Sequence, residues 1–222
     1  MFDYSNASSV DAVIAGLSPA RMAPYLKASK NSVEALKLYE RNTARSAALY
    51  GLLQTLEVVL RNAFDRELSA SFAGKNVSWF DYQTGTQSLI TGDEAAKVAA
   101  AKKTIIDKGY LVTHGQVIAT LSFGFWVSLT EAKYSPTLWG PFKLYKVFPG
   151  TPKRLTHSDA NNFLKPFRNL RNRIAHHEPI FTRDFVTDQN DILNAIRVIC
   201  SDSADWAERL RIKPPSPPVA KP

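Results

Sequence analysis

"SVEALKLYERNTARSAALYGLLQTLEVVLRNAFDRELSASF" (Ser32–Phe72) decides the fold class of this chain. Leu36, Tyr39, Leu49, Leu52, Leu53, Leu56, Leu60, Phe64 and Leu68 recur at spacings of three and four, the repeat of a helix face and not the alternation of a strand. Gly51 falls inside the pattern and marks either a break or a close contact with another helix. Upstream, Pro19 and Pro24 in "LSPARMAPYL" restrict the N-terminal segment to short helical pieces. Downstream, Gly74 and "NVSWFDYQTGTQ" read as a loop.

A helix is predicted from about Asp93 to Lys108, with Thr91 as its cap and Gly109 as its stop. "GQVIATLSFGFWVSLTEA" (Gly115–Ala132) is apolar almost all round and predicts a buried central helix. "SPTLWGPFKLYKVFPG" predicts a short helix with aromatic packing, and a last helix is expected from about Gln189 to Leu210. No internal repeat and no pair of strand runs stands out. The class is all-α, one helical domain over residues 1–212 followed by a Pro-rich flexible tail, "KPPSPPVAKP", at 213–222.

At 222 residues, with 45% hydrophobic and 11% aromatic residues, the chain can bury a sizeable core. Trp79, Phe80, Phe123, Phe125 and Trp126 are expected in that core. Lys and Arg number 28 against 20 for Asp and Glu, a net charge of +8 that points to an anionic partner, most simply nucleic acid. Cys200 is the only cysteine, which excludes an internal disulfide and a Cys-rich zinc site; in "AIRVIC" it reads as a buried structural thiol. The N-terminus lacks the basic and apolar regions of a secretory signal, and no run of about 18 apolar residues exists. The protein is expected to be soluble and cytoplasmic, without a membrane partner.

Two of the four histidines stand side by side in "LRNRIAHHEP" (Leu170–Pro179). Plotted as a helix from about Pro166 to His177, Phe163, Phe167, Leu170, Ile174 and His177 share one side. Arg168, Arg171, Asn172, Ala175 and His176 share the other. Asn172 and His176 are then i,i+4 neighbours, His177 lies at the edge of the apolar stripe, and Pro179 ends the helix. Pro166 is expected to kink the chain or to begin a new helix. Adjacent histidines diverge by about 100° on a helix and no other histidine is near in sequence, so a metal site is a poor reading. A solvated basic helix end is the plain alternative, because His and Arg are favoured there by the helix dipole. His114 and His157 receive no function.

Three stretches together give this motif a context. "LYERNTARSAALYGLLQTLEVVLRNAFDREL" (Leu38–Leu68), "LSFGFWVSLTE" (Leu121–Glu131) and "LRNRIAHHEPIF" (Leu170–Phe181) resemble the Abi-like family of bacterial abortive-infection proteins, of the AbiD and AbiF type, within the HEPN superfamily. The resemblance covers roughly Leu38 to Phe181. It implies a HEPN helical bundle, often a homodimer, and a metal-independent endoribonuclease that needs no cofactor. The superfamily pattern of Arg, a polar residue, three to five others and His falls on Arg171, Asn172 and His176. His177 and Glu178 match the family's local "HHEP" pattern, and Asn42, Glu57, Arg61 and Asn62 match recurring positions of the first long helix. Arg168 and Arg173 flank the motif as RNA-binding candidates. Glu57 and Arg61 also form a possible i,i+4 surface pair.

The chemistry suits these residues. RNA carries its own nucleophile in the 2′-hydroxyl, and histidine, with an ordinary pKa near 6.5, moves protons near neutral pH. Arginine presents a charged fork to the nonbridging phosphate oxygens, and asparagine can orient the histidine or hold a phosphate oxygen. One chain supplies one motif histidine, so a two-fold dimer would supply both a base and an acid. Phage defence or toxin activity is the expected role, with an antitoxin or another defence component as a further partner. The alternative is a non-catalytic HEPN module that binds RNA, a nucleotide or a protein.

Overall fold

Helix α3 (Ser32–Ala70) is the 39-residue axis of the computed structural model, which describes residues 2–84 and 87–211. Asn31 caps it by accepting from the Glu34 amide at 2.9 Å. Leu49, Leu52, Leu53, Leu56, Leu60, Phe64 and Leu68 are all buried, so the three-and-four repeat does mark its inward face. Each such side chain contributes about 1.5–3 kcal/mol of hydrophobic stabilisation. The helix runs through Gly51 without a break, and no atom of another element crowds that position. Gly51 therefore meets neither of its two expectations.

Two short helices, α1 (Ala7–Leu17) and α2 (Pro19–Lys27), precede it, as the prolines require. Ser18, with φ +80°, turns the chain between them and caps α2. Met22 and Tyr25 of α2 pack on Ala35, a small cluster separate from the main core. After α3, a tight turn at Trp79–Asp81 leads to a two-residue antiparallel pair, Gln83–Thr84 with Gln87–Ser88, a detail too short for the sequence to register. Helix α4 (Gly92–Asp107) starts where expected, although the Thr91 side chain makes no capping bond.

The apolar run Gly115–Ala132 is not one helix. It divides into α5 (His114–Thr120) and α6 (Phe123–Ser128), with Leu121 and Ser122 extended between them. A reciprocal Thr113–Gln116 capping box fixes the start of α5. The apolar character reported burial correctly: Phe123, Phe125 and Trp126 are inaccessible, as is Trp79, and Phe80 nearly so. The segment "SPTLWGPFKLYKVFPG" forms short single turns, not a regular helix, although Leu138, Trp139, Leu144, Val147 and Phe148 are buried.

Helix α7 (His157–Ala175) begins on a Thr156–Asp159 capping box, nine residues before the predicted start, and Pro166 lies inside it. The predicted last helix is two, α8 (Phe185–Ile199) and α9 (Ser201–Ala207), separated by extended Cys200. Asp184 sets the earlier start of α8 by accepting from the amides of Val186 and Thr187 at 2.9 and 3.0 Å. Cys200 is half-buried and not a core thiol; its Sγ accepts from Ser203 Oγ at 3.1 Å, and this bond lowers its pKa. Helices α1, α2, α6, α7, α8 and α9 all pack on α3, giving an all-α architecture. The tail expected at 213–222 lies outside the described residues. Among the described residues no helix is long and apolar enough to cross a membrane.

Candidate active site

The motif sits where α7 ends. Phe167, Leu170 and Ile174 are buried against the core, which turns Arg168, Arg171, Asn172 and His176 toward the outside. Asn172 and His176 are exposed, and Arg168 and Arg171 are half-buried. The two-sided division therefore holds for every motif residue except His177.

His177 is not on the helix. His176 is the C-cap, and His177 follows in the left-handed conformation with φ +57°. The His177 amide donates to the Ile174 carbonyl at 3.0 Å and the Glu178 amide to the Arg173 carbonyl at 2.8 Å, the two bonds of a Schellman closure. Glycine normally fills that position because a Cβ costs about 1–2 kcal/mol there. His177 is exposed and off the helix, so it does not lie at the edge of the apolar stripe as expected. His177→Gly should accordingly raise stability by about 0.5–1 kcal/mol, about 1–4 °C in melting temperature. A lower melting temperature would mean that the imidazole makes contacts that outweigh the backbone strain.

Charged and polar groups hold the turn after the helix. Arg173 donates through Nη2 to the Pro179 carbonyl and pairs through Nε with Glu178 at 3.3 Å. Both residues are thus engaged in shaping the turn. From α2, Arg21 donates to the His177 carbonyl; from α3, Asn42 accepts the Ile180 amide at 2.7 Å. Phe181 packs its ring on Tyr25, centroids 5.1 Å apart.

Asn42 is 5% exposed, and its bond to Ile180 is buried. It therefore positions the turn from below, at the wall of a small pocket shared with Ile174 and His177. Asn42→Ala should leave the Ile180 amide unpaired and cost about 1–3 kcal/mol, whereas Asn42→Asp keeps an acceptor and should cost less. Urea denaturation of both variants checks this order. Equal losses would show that the hydrogen bond is not what Asn42 supplies.

The partner of Glu57 is not Arg61. Glu57 Oε2 lies 3.6 Å from Arg171 Nε, joining α3 to α7, while Arg61 Nη1 donates to the Ala119 carbonyl at 3.4 Å. The side chains of Arg171 and Glu57 are 27% and 19% exposed, so the pair is partly shielded from water. The terminal nitrogens of Arg171 have no hydrogen-bond partner among the described residues, and Arg168 has none either. Glu57 is thus an ion-pair neighbour of the guanidinium and not a hydrogen-bond partner: Arg171 Nε is buried without one, and the fork is open.

Sequence reasoning missed Arg21. Its contact spans 156 positions and joins two elements that carry no shared local pattern, so no signal along the chain could have found it. Among the described residues no three His, Cys, Asp or Glu side chains stand together as a metal cage. Comparison with known protein families, with curated proteins and with solved structures returns no match.

Proposed function

We propose that this protein is a metal-independent endoribonuclease of the Abi-like HEPN type, with Arg171, Asn172 and His176 as its working residues. The observation that carries the reading is the arrangement at the α3–α7 junction. Arg171 is paired with Glu57 at 3.6 Å with its fork unpartnered, on the same helix face as exposed Asn172 and His176. A phosphodiester laid on that face meets a fixed positive charge, a neutral donor and acceptor, and a titratable imidazole. The net charge of +8 favours approach of the polyanion.

In this mechanism His176 of one chain takes the 2′-hydroxyl proton. The 2′-oxygen attacks phosphorus, and Arg171 balances the charge that grows on the nonbridging oxygens. The 5′-oxygen leaves with a proton from a second acid. A two-fold homodimer supplies that acid as the second His176, and phage defence or toxin activity is the corresponding cellular role. An antitoxin or another defence component is its proposed further partner.

Incubating the purified protein with total RNA in EDTA tests the reading. Cleavage is expected at the same rate with and without chelator. Cleavage that stops in EDTA and returns with magnesium or manganese would contradict the mechanism. Binding without cleavage in either buffer would favour a non-catalytic RNA-binding module.

A further inference from the structure

A second constellation lies on the far part of α3, independent of the Arg171–His176 face. His114, the first residue of α5, places Nε2 2.9 Å from Asp65 Oδ1 and Nδ1 2.9 Å from Ser78 Oγ. Asp65 Oδ1 also accepts from Trp79 Nε1 at 2.8 Å and from Ser69 Oγ at 3.1 Å. A carboxylate can only accept, so Nε2 must carry the hydrogen. In the neutral imidazole Nδ1 is then bare, and the Ser78 hydroxyl is the donor to it. Phe80 stacks on the imidazole at 5.1 Å and 21° and holds the plane of the ring.

Each link has the direction that nucleophile activation requires: serine to imidazole, imidazole to carboxylate, and the carboxylate oriented by two further donors. Either ring nitrogen can serve as the base, so attachment of serine to Nδ1 instead of Nε2 does not alter the chemistry. Ser78 and His114 line a surface cleft of about 350 Å³, together with Phe72, Val77, Lys75 and Asn76. The His114 side chain is 36% exposed, which leaves the reacting edge open to the cleft.

We propose that Ser78, His114 and Asp65 form a nucleophilic site for small carboxylic esters. Ser78 Oγ bonds to the ester carbonyl carbon as its proton passes to His114 Nδ1. The carbonyl electron pair moves onto oxygen; Lys75, whose Nζ rests over the Phe72 and Tyr82 rings at 5.0 and 5.1 Å, lines the same cleft. Collapse of the adduct breaks the bond to the alkoxide, which takes the proton from Nδ1 and leaves as an alcohol. Water then attacks the acyl carbon of acyl-Ser78 as its proton passes to Nδ1; collapse breaks the acyl–Oγ bond, Ser78 Oγ takes the proton back from Nδ1, and the carboxylic acid departs. Asp65 stabilises the imidazolium in both halves. Half-buried Val77 offers an apolar wall to the acyl group.

The probes are an alkyl fluorophosphonate and p-nitrophenyl butyrate, applied to the full chain. Intact mass and peptide mapping should show one adduct, on Ser78, and butyrate ester hydrolysis should vanish in Ser78→Ala. His114→Gln should slow labelling of Ser78 at least about 100-fold, the lower range for a positioned base. A folded wild-type chain that takes no adduct at Ser78 would overturn the proposal, whatever the variants do. So would equal labelling rates in wild type and a folded His114→Gln, because the Ser78–His114 bond would then only tether the loop to α5.

Discussion

His176→Ala should lower RNA cleavage by about 10²–10⁴-fold, the range contributed by a positioned proton-transfer group. Its melting temperature should stay within about 2 °C of wild type. The expectation of an unchanged fold is specific to this position. His176 is the exposed C-cap of α7, and the bond it makes to the Asn172 carbonyl at 2.9 Å comes from its backbone amide, which alanine retains. Arg171 is a different case. Its removal strands the half-buried Glu57 carboxylate, so Arg171→Ala should lose activity and stability together. Arg171→Lys restores the charge without the fork and should recover stability more than activity. Cleavage rates with parallel thermal melts separate these outcomes, and an active His176→Ala protein would remove the histidine from the mechanism.

Acid should destabilise the protein through Glu94. This carboxylate is 2% exposed and lies between α4 and the turn after α6. Burial by itself pushes its pKa up. Hydrogen bonds from Lys133 at 2.6 Å, Tyr134 at 2.9 Å and Lys97 at 3.3 Å outweigh that and hold it at about 2. Burial and the same carboxylate push the Tyr134 hydroxyl up to about 12. The folded pKa of Glu94 lies below its unfolded value of about 4.3, so the unfolded chain takes up the proton first as pH falls. The stabilisation is fully present above about pH 5 and is lost toward pH 2, amounting to about 2–3 kcal/mol. Glu94→Gln should start less stable at pH 7 and show a correspondingly smaller loss between pH 5 and pH 2. Asp159 and Asp184 are shifted in the same direction by backbone amides, but both proteins share them and they cancel in the comparison. Parallel pH profiles for the two proteins would contradict the assignment.

Helical periodicity made α3 legible because one face of a 39-residue helix repeats the same instruction many times. The polar face of α7 was legible for the same reason over a shorter span. Boundaries failed where a single capping bond decides them. Thr156 moved the start of α7 upstream past Pro166, and Asp184 did the same for α8. His177 was misplaced because the wheel assumes a helix through the residue before Pro179, whereas the Schellman closure ends it at Ala175. The local reading of Glu57 found a plausible pair with Arg61, but the actual partner lies on another helix. Gly150 is needed because a Cβ there would meet the Val198 Cα at 2.9 Å, a contact that no pattern around residue 150 announces. The Asp65–His114–Ser78 chain shows the same limit: its members come from three separate elements, and His114 alone carried no sign of them.

The most direct measurement is mass spectrometry of the products of a defined RNA oligonucleotide, beside the same oligonucleotide with a 2′-deoxyribose at the cleaved position. Attack by the RNA's own 2′-hydroxyl predicts products ending in a 2′,3′-cyclic phosphate, or the 3′-phosphate from its opening, and an intact deoxy-substituted strand. Products carrying a 5′-phosphate and a free 3′-hydroxyl, or cleavage at the deoxy position, would contradict it.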